Sequence, residues 1–305
     1  MIRRPPRSTL DRSSAASDVY KRQVPWSGVS ANPKITGSIG SGGKGMPPKY
    51  MFHVTPNGYF SGVTMGKFIM TKPNAKKIAI VAHTNDWARG YCDPAKDYIE
   101  SQGGEVVLDT AMERGSTDAT AQVLQIKSKG VDGVLGCLYQ PELVVLLKAA
   151  HKYKLNTPII GALGADFGQV IQQVGNPAAV NGVFFQGHLY KDKIGSPALE
   201  WGKQILLKYL TKDELPKTGD PTHFYYFGLF NGIGVVEGFR RAGRDLTRDT
   251  YIAAIETLRD FDNNISAGRV TITPEQHVGI SDMYFNGLDN DGNEVIFKAW
   301  GQTLH

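Results

Sequence analysis

Between residues 76 and 186, apolar runs of strand length alternate with stretches of helical period, and no other feature restricts the possible folds as strongly. Residues 76–83 (KKIAIVAH) form a continuous apolar run, the pattern of a strand covered on both faces of a parallel sheet. A helical stretch at 88–102 is closed by Gly103 and Gly104. Residues 105–110 read as strand, 118–129 as helix and 133–139 as strand. A helix over 141–153 opens with Pro141 in its first turn, where the missing N–H costs nothing. Residues 158–163 read as strand, 167–174 as a short helix and 182–186 as strand. Regular βα alternation of this kind predicts an α/β fold with a doubly wound parallel sheet.

The pattern then changes. Three helices are expected near 198–210, 224–241 and 248–259, with little strand between them. The C-terminal stretch reads as short strands, including 270–273 and 283–285. A turn at Asp289-Asn290-Asp291-Gly292 leads into a last strand at 295–300. The apolar face of the middle helix (Phe227, Phe230, Val235, Phe239) needs a sheet to cover, and this part of the chain supplies almost none. The stripe is therefore expected to stay uncovered, leaving the chain partly folded and prone to associate.

The 305 residues, 41% hydrophobic and 21% charged, suffice for two cores of roughly 150 residues each. No window approaches the ~20 uninterrupted apolar residues of a membrane-crossing helix. The net charge of +5 arises mostly in residues 1–23, which hold Arg3, Arg4, Arg7, Arg12, Lys21 and Arg22 against Asp11 and Asp18. The remainder is nearly neutral, which argues against a nucleic-acid partner. Residues 1–23 lack helical or strand period and lack the apolar stretch of a signal peptide. They are read as translated sequencing-adapter sequence, a non-biological leader outside the fold. Cys92 and Cys137 are too few for a disulfide framework and fit no metal spacing, so they are read as small apolar residues in packed positions.

Several segments, in their order and spacing, resemble the type I solute-binding proteins of ABC importers. They are 76–90 (KKIAIVAHTNDWARG), 103–108 (GGEVVL) and 116–142 (STDATAQVLQIKSKGVDGVLGCLYQPE), with 24–36 (VPWSGVSANPKIT) upstream and 240–248 (RRAGRDLTR) and 273–279 (TPEQHVG) downstream. The subgroup is the branched-chain amino-acid (leucine/isoleucine/valine) binding proteins. The resemblance implies two doubly wound lobes with ligand in the cleft between them. One lobe would be formed by 58–187 and 282–305, the other by 24–57 and 188–281. The first three βα units of the second lobe, about 90 residues at ~30 per unit, would be missing together with a signal peptide. The implied role is substrate-binding component of an importer for hydrophobic amino acids or related small carboxylates, working with membrane permease subunits in the periplasm or another extracytoplasmic space. No cofactor and no catalysis are implied. A ligand-sensing receptor domain of the same fold is the alternative. An enzyme on a Rossmann-like sheet is disfavoured, because no glycine fingerprint follows a strand.

The resemblance also implies site residues. Trp87 follows the first buried strand, at the carboxyl end where ligands bind in open α/β sheets, and matches an aromatic wall. Tyr139 matches a tyrosine that contacts the ligand's polar end. Each has a plainer reading as a core aromatic. The family's ammonium-binding glutamate falls on Leu163, which cannot pair with an ammonium. Asp166 either substitutes for it or caps the helix that follows. Val29 and Ala31 match positions giving a backbone contact and a hydroxyl. Ala31 lacks the hydroxyl, and Ser27 or Ser30 either replaces it or simply forms a turn. The glycine-rich stretch 37–46 (GSIGSGGKGM) departs from a phosphate loop at Ser38 and Gly45. His83 and His277 have no partner at metal spacing and are read as core or surface histidines.

Overall fold

The computed structural model describes residues 24, 26–27, 32–36, 47–188, 197–215, 219, 221, 223–280 and 282–300. The leader expected at 1–23 lies outside them. The main sheet takes β3 (Lys77–Ala82), β4 (Glu105–Ala111), β5 (Gly133–Cys137), β6 (Ile159–Gly161), β7 (Val183–Gly187), β8 (Met283–Leu288) and β9 (Glu294–Trp300). Strands β1 (Trp26–Ser27) and β2 (Phe52–His53) pair in parallel elsewhere, as a small second sheet. The order across the main sheet is β4-β3-β5-β6-β7-β8-β9. Its first five members are parallel, and β8 and β9 are antiparallel additions.

Strand alternation divides β3 between two cores. Ile78, Ile80 and Ala82 face the helices α2 (Gly58–Ile69) and α3 (Asp86–Ser101), together with Met65, Phe68, Tyr91 and Ile99. Ala79 and Val81 face the opposite side, which is covered by α4 (Thr120–Lys129), α5 (Gln140–Lys152) and α6 (Phe167–Val174) through Val123, Leu143, Leu147 and Val170. Helix α3 starts two residues earlier than its apolar pattern suggests, because the Asn85 side chain accepts the Ala88 N–H at 3.0 Å and caps the first turn. Helices α2 and α3 approach closely through Gly62, where a Cβ would run into the Tyr91 carbonyl.

Cys92 of α3 and Cys137 of β5 are joined in a disulfide with Cα atoms 6.2 Å apart. This corrects their reading as merely small packed residues. The pairing comes from helix α3 lying on the sheet, a contact that residue spacing does not reveal.

A third core gathers Phe52, Val54, Tyr226, Phe227, Phe230, Tyr251, Ile252 and Ile272. It is built by α8 (His223–Ala242) and α9 (Arg248–Ile255), with α7 (Pro197–Tyr209) adding Leu199 and Leu206 at its margin. Trp26 Nε1 donates to Tyr251 Oη at 3.1 Å, and Tyr251 Oη donates to the Val235 carbonyl. The stripe expected to be bare is therefore half covered. Phe227 and Phe230 are buried and Val235 is half-buried, whereas Phe239 is 48% exposed. Residues 270–273 do not form a strand. Val270 makes a single bridge to Phe261 and Thr273 one to Gln276, so the period of two there records burial of Val270 and Ile272 rather than a ladder.

Two outcomes follow. Replacing both cysteines (Cys92→Ala with Cys137→Ala) opens a loop of sequence separation 45, and is expected to cost about 2–4 kcal/mol in urea unfolding. Glu237 accepts from Arg240 Nε and Arg241 Nε, both at 2.7 Å, and Arg241 reaches the Thr257 carbonyl. The Arg240 hydrogen bond leads in holding the Glu237 carboxyl down to about 2, against an ordinary 4.5. A carboxylate depressed in the folded state stabilises above its unfolded value and loses that contribution as pH falls through the folded one. Stability is thus expected to decline between pH 4.5 and 2, with Glu237→Gln showing a shallower decline over the same acid titration.

Candidate functional site

Because β3 to β6 are parallel, the loops that follow them leave the sheet along one edge. That edge carries His83, Asn85 and Trp87 after β3, Met112 and Arg114 after β4, Tyr139 after β5, and Leu163 and Asp166 after β6. This is where open α/β sheets hold ligands.

Trp87 and Tyr139 stack with ring centroids 4.4 Å apart and planes 24° from parallel. Both rings are half-buried, so the stack presents a partly accessible aromatic wall. Tyr91 backs Trp87 at 4.9 Å and is fully buried, and its burial pushes its phenol well above the ordinary range. Asn85 fixes the other side of the stack. Its Nδ2 donates to Tyr139 Oη at 3.2 Å while its Oδ1 caps α3. Gly164, at φ +120°, runs beneath the indole, where a Cβ would lie 3.5 Å from Trp87 Cζ2.

A buried polar frame lies behind this wall. His83 is 3% and Glu142 4% exposed. His83 Nδ1 donates to the Met112 carbonyl at 2.7 Å, since a carbonyl only accepts. Its Nε2 accepts the Tyr139 N–H at 3.2 Å. Glu142 Oε1 accepts the Gly115 N–H at 2.7 Å, and Oε2 lies 3.5 Å from His83 Nε2. One imidazole and one carboxylate thus tie the ends of β3, β4 and β5 together. Buried polar groups used this way fix geometry, because removing one partner leaves the other unsatisfied.

Leu163 is 8% exposed and belongs to the apolar cluster against which Trp87 packs. Of the two roles open to Asp166, the structure displays the cap. Its Oδ1 accepts the Gln169 N–H at 2.9 Å, and its own N–H donates to Gln140 Oε1. Ser27 lies on β1 opposite His53. Val29, Ser30 and Ala31 lie outside the described residues. Helix α1 (Pro33–Thr36) comes close to α3, since a Cβ on Gly90 would sit 2.8 Å from Pro33 Cδ. Among the described residues, no group of three or more His, Cys, Asp or Glu side chains is arranged to hold a metal ion. His277 is buried, stacked on Phe52 and paired with Glu256 at 3.1 Å, as a core histidine.

Residues 7–293 match the family model described as periplasmic binding protein. The chain belongs to the periplasmic binding protein family. The family match begins at residue 7, within the segment read as a leader. Among curated relatives, an amino acid binding protein of Pseudomonas aeruginosa is 25% identical over 170 residues, 55% of this chain and 43% of that protein. A Leu/Ile/Val-binding protein of Citrobacter freundii is 28% identical over 103 residues, 34% of this chain. The chain thus matches less than half the length of either relative, 43% and 28%. Solved structures share the fold. A branched-chain amino acid ABC transporter protein of Thermus thermophilus superposes with TM-score 0.81 at 19% identity, over 97% of this chain and 77% of its own. A fatty acid ABC transporter substrate-binding protein of Thermomonospora curvata gives TM-score 0.73 at 18% identity, over 96% of this chain and 73% of its own.

In this family member the sequence placed Trp87, Tyr139 and Leu163 on one edge, and the structure brings them together. It did not find Asn85, the His83–Glu142 frame or Arg114. The available signal was position alone, since each stands within a few residues of a strand's carboxyl end. Glu142→Leu removes the acceptor of the Gly115 N–H and is expected to cost about 1 kcal/mol in chemical denaturation. Glu142→Gln keeps an accepting oxygen and should lose clearly less; equal losses for the two variants would contradict the frame.

Proposed function

We propose that this chain is the substrate-binding component of an ABC importer for branched-chain or other hydrophobic amino acids, or for related small carboxylates. The observation that carries the reading is the stacked Trp87–Tyr139 wall beside a buried Leu163, with the Asp166 carboxylate engaged as a helix cap. An apolar side chain covered by that wall is removed from water, which favours binding in proportion to the area buried. A leucine at the acid position favours ligands that do not need a carboxylate for an α-ammonium. Two solved neighbours agree with small hydrophobic ligands, one by its bound valine and the other by its description as a fatty acid transporter protein.

On this reading, residues 58–187 and 282–305 form one lobe and 24–57 and 188–281 the other. Ser27 stands on the facing wall, and ligand closes the lobes about a hinge. The closed form is what the permease subunits in the membrane recognise. The chain binds and releases its ligand and performs no chemistry on it. The Cys92–Cys137 disulfide supports a periplasmic or other extracytoplasmic location, since such bonds persist in oxidising compartments.

Calorimetric titration with leucine and with its deaminated 2-oxo acid tests the reading. The oxo acid is expected to bind at least as tightly as leucine, and Trp87→Ala to weaken it about tenfold or more. Binding of leucine alone, with no loss on Trp87→Ala, would reject both the ligand class and the site.

A further inference from the structure

We propose that Arg114 is the counter-ion for the ligand's carboxylate, so that the site selects an apolar monocarboxylic acid lacking an α-ammonium, held with its carboxylate against Tyr139. This rests on the binding-protein reading above and names the group that sets its specificity.

The Arg114 guanidinium carbon lies 5.3 Å from the Tyr139 ring centroid, beside the aromatic wall, and the residue is exposed. No carboxylate of the described residues forms an ion pair with it. Arg89, on the helix that carries Trp87, differs in this respect. Its guanidinium is clasped by both oxygens of Asp109, at 2.8 and 3.0 Å. Its charge is already answered within the fold, whereas that of Arg114 is offered outward.

The loop carrying Arg114 is held on both sides by buried polar side chains, one of which also holds the backbone of Tyr139. His83 grips the Met112 carbonyl two residues before it, and Glu142 grips the Gly115 N–H one residue after it. Burying a carboxylate is costly unless its hydrogen bonds compensate. Spending that cost beneath one short loop makes sense where the loop must present something in a fixed place. The stack on Tyr139 restricts the guanidinium further, so less freedom is lost when an anion docks.

The remaining charges agree. Leu163 stands where the resemblance implies an acid for an ammonium, and Ala31 has no hydroxyl to offer a carboxylate. A ligand turned with its carboxylate toward Tyr139 and Arg114 meets a donor on this wall instead. An α-ammonium in the same position would be repelled by the guanidinium.

The test uses the full chain and three probes that share one branched tail: 4-methylpentanoate (carboxylate only), leucine (both charges) and leucinamide (ammonium only). Affinities are read by tryptophan fluorescence, with melting curves confirming that each variant folds like the parent. The expected order is 4-methylpentanoate tighter than leucine, with leucinamide unbound. Arg114→Gln is expected to weaken 4-methylpentanoate by roughly 10–100-fold, the scale of a hydrogen bond to a charged group, with Arg114→Lys intermediate. If Arg114→Gln leaves that affinity within about twofold, Arg114 only decorates the tyrosine; this inference falls and the binding-protein reading stands. If leucine binds tighter than 4-methylpentanoate and Arg114→Gln changes neither, the ligand class falls as well. If no probe binds at millimolar concentration, both the inference and the underlying reading are overturned.

Discussion

Everything at the candidate site depends on β3 being paired on both edges and covered on both faces. Ile78 to Ala82 are all fully buried, between β4 and β5 and between two helical layers. Such a strand has no freedom of register, because a slip of one residue would turn each apolar set toward the wrong layer. Parallel pairing then requires every connection to cross over and return, so all the strands end at the same edge. Trp87, Arg114, Tyr139 and Leu163 meet there for that reason, although the chain separates them widely.

The backbone arrangement was largely legible because a strand covered on both faces must be apolar throughout, and the helices between such strands must show a 3.6-residue period. Trp87 and Tyr139 could be placed for the same reason, each standing directly after a readable strand. What the sequence concealed depends on contacts across the chain. Asn85 looks like one more polar loop residue until its amide is seen to serve a helix and a tyrosine at once. Arg114 gains meaning only when the Met112–Gly115 turn is laid over Tyr139 by two buried partners. The two cysteines looked unremarkable because their spacing follows no motif, and their encounter is decided by the way α3 rests on β5.

The misjudged stretches follow the same logic. Phe227 and Phe230 seemed to lack a cover, yet Phe52 and Val54, far upstream, fold back to supply one. Val270 and Ile272 alternate like a strand because burial on one side is enough to impose that pattern, whether or not a neighbouring strand is present. Periodicity reports which side is dry. It does not report which partner makes it so.

The disulfide turns residues 92–137 into a closed covalent ring. That ring contains β4, the strand at the margin of the main sheet, and the loop bearing Arg114. A single cut by a protease on this outer strand would leave both new ends still fastened to the body of the protein. The chain would keep its full mass on a non-reducing gel and separate into two pieces only after reduction. The disulfide thus turns a break in the outermost strand into a local event, because the two fragments cannot drift apart.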